Sequence, residues 1–446
     1  MRIIPLDLRP AAWASLALAV LVCYGNAFSG DFQFDDYNVI VFNQGVHSWA
    51  GWLQELDSGI RPLLKFSYTL NWTSGLGAAG FHLLNVALHV CNALLVFALT
   101  RHFLRLHPAL PQQVFGIPFL AALLFAVHPA HTEAVTYICG RSIALMSLFY
   151  FAGLLAYASG RACGSAVLVY FATPLCFVAA LGVKETAVTF PLALLAWHMA
   201  NGGTLKDAFK CQWPNWVLLV LGCVFFLWHG RYFALMENSA GLNSLQGNVA
   251  TQADAFLYLM RQWLLPLWLN IDPDRQAAHG LDEKLPQLVF LAGVAVAALA
   301  AFRRRPWLGF ALAWALIQLI PLYWFLPRTD IANDRQLYLV SWPLALALVA
   351  EMALRLNQKN LVTAGVVLAC VLGALTVLRN QDFRSEIILW ESTAALSPGK
   401  PRVHNNLGLA YELAGRRAEA RQEYAIALRL NPDYRKARYN LERLNE

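Results

Sequence analysis

The feature that most limits what this chain can become is a series of about eleven apolar stretches, most near the roughly 20 residues that cross a bilayer as a helix. They fall at about 11–28, 80–100, 114–127, 142–159, 165–181, 186–200, 215–233, 287–302, 307–326, 338–354 and 361–378. A water-soluble core has no place for that much apolar surface. Of 446 residues, 58% are hydrophobic and 14% charged, against roughly 25% charged in an ordinary soluble domain. In hydrocarbon every backbone polar group must be satisfied within its own segment, so the expected fold is all-α and polytopic. The same composition excludes disordered and collagen-like chains.

The net charge of +7 does not point to nucleic acid, because the basic residues are dispersed among the connections rather than gathered in one patch. Arg101 and Arg105, Arg161, Lys206 and Lys210, Arg303 to Arg305, and Arg355 and Lys359 share a side with the N-terminus, which the positive-inside rule makes cytoplasmic. Arg2 and Arg9 before the first apolar run imitate a secretory signal, but Gly25-Asn26-Ala27 is a poor cleavage site and more spans follow. The run is therefore read as an uncleaved first span. Residues 253–270, with Arg261 and Pro266, read as an interfacial or re-entrant helix. The outward connections are then 29–79, 128–141, 182–185, 234–286 and 327–337, and an odd number of spans leaves the C-terminus outside. The eight cysteines fall mostly in apolar runs without metal or disulfide spacing, and read as small core residues.

After residue 378 the composition turns charged and helix-forming, which divides the chain into a membrane domain at 1–378 and a soluble unit at 379–446. Leu407, Gly408, Tyr411, Ala420, Tyr424, Ala427 and Pro432 take the large and small packing positions of a 34-residue tetratricopeptide repeat. Trp390 and Pro398 lie one repeat earlier in phase and Leu441 one later.

The polar residues of the outward loops carry the chemistry. Asp35 and Asp36 follow the first span; two adjacent carboxylates against an apolar wall repel, and burial raises the proton affinity of one, which suits a general base. A solvated loop or helix cap is the bland alternative. His128, His131 and Glu133 have residue types that bind metals, but Pro129 spoils a shared helical face, so a polar pocket is favoured over a metal site. Arg61, Lys65, Arg141, Lys184 beside Glu185, and Arg328 and Arg335 beside Asp330 and Asp334 stand against the positive-inside trend. Ion pairs explain them, or an outer-leaflet phosphate does. His82, Asn85, His89 and Asn92 form one polar stripe, read as interhelical hydrogen bonding. No phosphate-binding loop, dinucleotide fingerprint or hydrolase elbow is present.

Taken together, Asp31 to Asp36, Arg61-Pro62-Leu63 with Asn71, His82 to Val86, His128 to Val135 with Gly140-Arg141, Lys184-Glu185 and Asp334 to Leu339 leading into the repeat resemble a known family. It is the transmembrane and tetratricopeptide-repeat O-mannosyltransferases, within the polyprenyl-phosphate-dependent GT-C glycosyltransferases. The resemblance covers most of the chain. It implies an enzyme that moves a sugar from a polyprenyl phosphate to a hydroxyl of an extracytoplasmic protein by inverting displacement, with Asp35 or Asp36 as base. Arg61, Arg141, Lys184 and Arg335 would hold the donor phosphate, and His128, His131, Glu133, Glu185 and Tyr338 would line the substrate pocket. The lipid-linked sugar is then donor substrate rather than resident cofactor, no metal ligand set is assigned, and a divalent cation is an optional assistant. The repeat would engage the acceptor protein, and membrane lipids the body. Richness in Ala, Leu, Trp and Arg suggests a bacterial inner membrane with a periplasmic site, a surface protein such as a pilin being one imaginable acceptor. Competing expectations are a non-catalytic repeat scaffold, a flippase, and transfer to a lipid or polysaccharide.

Overall fold

The computed structural model describes residues 10–57, 59–113 and 115–445; Arg2 and Arg9 lie outside them. The described residues form helices joined by turns and irregular connections. Among them, eight helices are long and apolar enough to cross a membrane: Pro10–Ser29, Gly77–Arg105, Ile138–Cys163, Leu205–Trp228, Asp282–Arg304, Pro306–Phe325, Asp334–Ala353 and Gln358–Phe383. The remaining three apolar runs are helical but short, at Ile117–Val127, Leu168–Val183 and Phe190–Ala200. All eleven apolar runs are thus helical, eight of them long enough by length and composition to be span candidates and three shorter, each of the three with a proline, 118, 174 or 191, in the first turn of its α-helical part.

Burial sorts these helices into layers. Gly77–Arg105, Ile138–Cys163 and Asp334–Ala353 are mostly enclosed, whereas Leu205–Trp228 and Asp282–Arg304 turn apolar faces outward. Val220, Val224, Val296 and Leu299 are each exposed, as lipid-facing residues would be. At the centre Trp314 and Trp342 meet edge to face with ring centroids 5.5 Å apart. The expected polar stripe joins helices: Asn92 Nδ2 donates to Ala144 O and to Tyr338 Oη, and His89 pairs with Tyr338 Oη at 2.8 Å and with Ala126 O at 2.9 Å. The Ala253 to Asn270 region forms the end of an amphipathic helix, Leu245–Leu264, followed by an irregular segment, and is not among the span candidates.

The last membrane helix runs to Asn380, two residues past the expected boundary. Four further helices follow at Glu386–Leu396, Pro401–Leu413, Arg417–Leu430 and Arg435–Asn445. Leu407, Gly408, Tyr411, Ala420, Tyr424 and Ala427 are all buried, as the repeat pattern requires. A β-carbon on Gly408 would stand 2.7 Å from the Tyr424 ring, so the small residue sets how closely the paired helices approach. These helices are packed on the membrane body. Asn270 Nδ2 donates to Ser397 Oγ at 2.7 Å, Ser397 Oγ donates to Asp272 O at 2.9 Å, and the Phe34 and Trp390 rings meet edge to face at 5.0 Å.

Candidate functional site

A cavity of about 220 Å³ opens where the first loop, the segment before Asp334–Ala353 and the C-terminal helices meet. Its wall alternates charge. Asp35, Glu133 and Asp330 face Arg328, Arg335 and Arg402, with Phe34, Tyr137, Ile271, Thr329 and Trp390 between them.

The first loop reaches the cavity through a strained turn. Phe34 has φ +48°, a left-handed conformation that disfavours a residue with a bulky side chain. Asp36 locks the turn: its Oδ2 accepts from Gln33 N at 2.9 Å and its Oδ1 from Cys139 N at 2.8 Å. Hydrogen bonds to a charged acceptor contribute roughly 1.5–3 kcal/mol each, so the fully buried Asp36 is tied to the backbone on both sides. Burial nonetheless pushes its carboxyl up to about 7. Asp35 is held differently. Its backbone N donates to Tyr137 Oη at 3.1 Å, while its carboxylate lines the cavity without a hydrogen-bond or ion-pair partner among the described residues. Burial raises the Asp35 carboxyl, with the Arg335, Arg402 and Arg328 guanidiniums opposing the rise.

The cations are clamped. Arg328 takes Asp330 with both Nε (3.0 Å) and Nη2 (2.6 Å). Arg335 bridges two carboxylates, Nη2 to Asp330 Oδ2 and Nε to Glu133 Oε1, both at 3.4 Å, and its backbone N donates to Glu133 Oε2 at 2.9 Å. Burial favours the neutral acid at Asp330, but Arg328 and Arg335 outweigh it and hold that carboxyl well below the usual range. At Glu133 burial wins and the carboxyl is raised despite Arg335.

The structure thus brings Asp35, Glu133 and Arg335 together with Arg328 and Asp330, and leaves Asp36, Arg61, Arg141, Lys184, His128, His131, Glu185 and Tyr338 out of the cavity lining. Arg141 is fully buried, and its guanidinium is spent on the protein: Nε donates to Asn85 Oδ1 at 2.6 Å, Nη1 to Ser67 O at 3.0 Å and Nη2 to Phe81 O at 2.9 Å. Arg61 is bidentate on Glu185, each contact 2.8 Å. Lys184 is buried beside that pair, its Nζ 3.4 Å from Ser142 Oγ; burial, and then Arg335, Arg61 and Arg328, hold the amine well below its ordinary value. His128 accepts from Ala130 N through Nδ1 and donates from Nε2 to Trp263 O at 3.0 Å. His131 pairs with Ser341 Oγ at 2.9 Å, and its ring lies 4.7 Å from that of Tyr338. Among the described residues no three His, Cys, Asp or Glu side chains converge as a metal-ligand set.

Sequence reasoning missed Arg402 and Asp272. One signal was available: Lys400 and Arg402 place two cations at a helix N-terminus, where the helix dipole disfavours them. The buried Asp272 answers both, accepting from Arg402 Nε at 2.6 Å and from Lys400 Nζ.

Fold and cavity define a polytopic helical membrane protein whose C-terminal repeat helices close a charged site at one end of the bundle. A tetratricopeptide repeat family matches residues 401–434. Over most of its length the chain is similar to proteins named protein O-mannosyl-transferases. It is 25% identical to a protein O-mannosyl-transferase of Caenorhabditis elegans over 93% of this chain and 62% of the relative. It is 26% identical to protein O-mannosyl-transferase Tmtc3 of Drosophila melanogaster over 96% and 56%, and 26% identical to protein O-mannosyl-transferase TMTC4 of Homo sapiens over 91% and 65%. The chain therefore spans between 56% and 65% of the length of these relatives. No solved structure matches it.

Proposed function

We propose that this protein is a GT-C-type membrane glycosyltransferase that moves a sugar from a polyprenyl-phosphate donor to a hydroxyl of a protein acceptor, on the extracytoplasmic face of a bacterial inner membrane. The observation that carries the reading is the Asp35 carboxylate: raised by burial, unpartnered and facing a cavity with three guanidiniums. A general base needs a free carboxylate within reach of the proton it takes. Asp36, bonded by two backbone N–H groups, is instead the residue that shapes the turn.

In this mechanism Asp35 removes the acceptor proton as the hydroxyl oxygen attacks the anomeric carbon. The bond from that carbon to the phosphate oxygen breaks, and its electron pair leaves with the polyprenyl phosphate. That leaving group is already a stable anion, so cationic stabilisation does the work an acid catalyst does elsewhere. Arg335, with Arg328, supplies positive potential at the cavity. Lys184, buried with one weak hydroxyl contact, stands behind them as a cation that an incoming phosphate would favour in its charged form. Arg61 and Arg141 act on the fold around the site. The relatives' printed names support a protein acceptor, and the repeat supports its capture by proximity.

Intact-mass analysis of secreted and surface proteins, from cells with and without this chain, tests the reading. The expected result is a hexose-sized increment on an acceptor that disappears in Asp35→Asn while the variant stays folded and membrane-inserted. An undiminished increment in Asp35→Asn removes the proposed base.

A further inference from the structure

Two of the cavity's guanidiniums belong to the membrane body and pair with carboxylates of the cavity wall itself, Arg328 with Asp330 and Arg335 with Asp330 and Glu133. The third comes from the repeat unit and pairs with an aspartate outside that lining. Arg402 comes from the first helix of the matched repeat, Pro401–Leu413, and enters the same wall as Asp35. Its Nε donates to Asp272 Oδ2 at 2.6 Å and its Nη1 to Thr329 Oγ1 at 3.2 Å, while Nη2 has no protein partner among the described residues. The side chain keeps about a quarter of its surface open, at 26%. Asp272 is fully buried and takes Lys400 as well, so the aspartate fixes the direction of the guanidinium rather than cancelling it.

We infer that Arg402 is a substrate-contacting residue whose Nη2 edge donates to a phosphate oxygen of the lipid-linked donor, with Asp272 as its positioning residue. This rests on the glycosyltransferase reading. A planar guanidinium with Nε and Nη1 anchored and Nη2 open is preorganised to donate to a phosphate oxygen, since little side-chain freedom remains to be lost on binding. The repeat unit is then part of the chemical site and more than an acceptor dock: separating it from the body removes a donor ligand from the cavity. The Tyr411–Glu391 bond, 2.7 Å, joins two helices of the same unit outside the cavity lining, which separates the integrity of the unit from substrate contact.

The test uses the full chain in detergent micelles and a short-chain polyprenyl monophosphate, titrated by thermal shift beside inorganic phosphate. Loss of a charged hydrogen-bond donor predicts that Arg402→Ala weakens lipid-phosphate binding about 10-fold or more. Arg402→Lys restores part of it, and Asp272→Asn weakens it in the same direction. Tyr411→Phe, which loses the bond to Glu391 inside the repeat unit, stays within about 2-fold of the parent, because it loosens the unit without touching the ligand or Asp272. Equal binding by Arg402→Ala and the parent overturns the inference, as does a loss in Tyr411→Phe equal to that in Arg402→Ala. Inorganic phosphate binding as tightly as the lipid overturns the assignment to a lipid-borne group. Asp35→Asn is carried through the same titration and a transfer assay. Normal lipid-phosphate binding with no transfer supports both readings, whereas retained transfer refutes the Asp35 mechanism and leaves the Arg402 result standing.

Discussion

Replacing Arg141 separates a structural cation from a substrate-binding one. The guanidinium makes three hydrogen bonds of 3.0 Å or less, to Asn85 Oδ1, Ser67 O and Phe81 O, and a longer one of 3.4 Å to Ser67 Oγ, and lies 5.3 Å and 5.0 Å from the Tyr68 and Phe81 ring centroids. Bonds from a charged donor contribute roughly 1.5–3 kcal/mol each, so the gross loss in Arg141→Ala is about 4.5–9 kcal/mol. Water entering the space re-satisfies some of the orphaned acceptors, which brings the expected loss to about 3–5 kcal/mol, the range for breaking a buried charged network. Arg141→Lys recovers a minor part, because an ammonium cannot serve three acceptors arranged around a planar fork. Unfolding in mixed micelles at increasing sodium dodecyl sulfate, followed by circular dichroism, measures the loss. Donor-phosphate affinity is measured on the folded fraction and is expected to be close to that of the parent. A variant within about 1 kcal/mol of the parent that has lost phosphate binding would place the guanidinium on the ligand and refute the reasoning.

The acidic limb of transfer should reflect Asp35. Burial raises that carboxyl, and a base works only when ionised, so kcat/KM should rise with pH through a midpoint above the ordinary carboxylate range; a midpoint inside that range counts against the assignment. Asp36 acts on stability instead. Burial pushes its carboxyl up to about 7, above the ordinary aspartate range, so its contribution is complete below about pH 4 and is lost as pH rises towards 7. Unfolding midpoints of the parent and Asp36→Asn across that window check this, and parallel slopes would contradict it. Gly140→Ala should disturb the cavity from behind: its β-carbon would fall 1.9 Å from Glu133 O and 3.0 Å from Ala134 Cα. Both contacts are backbone, so the expectation is about 1–3 kcal/mol of destabilisation with reduced transfer; full activity would show that Glu133 tolerates the shift.

Hydropathy alone determined that this chain is an all-α membrane body followed by a tetratricopeptide unit, because a bilayer-length apolar run and a repeat phase are local properties of the sequence. Leu407, Gly408, Tyr411 and Ala420 could be assigned to packing before any coordinates, since helix periodicity decides which side chains face the neighbouring helix. Three apolar runs, 114–127, 165–181 and 186–200, fold as shorter helices, and the first and last of them were legible as the shortest runs, because run length is itself a local property of the sequence. Only the tertiary structure decided which charges are free. Arg141 and Arg335 look alike in the sequence, yet one is enclosed by Asn85, Ser67 and Phe81 and the other lines a cavity. Asp35 and Asp36 are neighbours with the same side chain, and the turn at Phe34 sends one carboxylate to two backbone amides and the other to the cavity wall. Arg402 joins them from some 370 residues further along the chain. The strength of a charge depends on partners and burial, and those are supplied by segments remote in sequence, so no local pattern can report them.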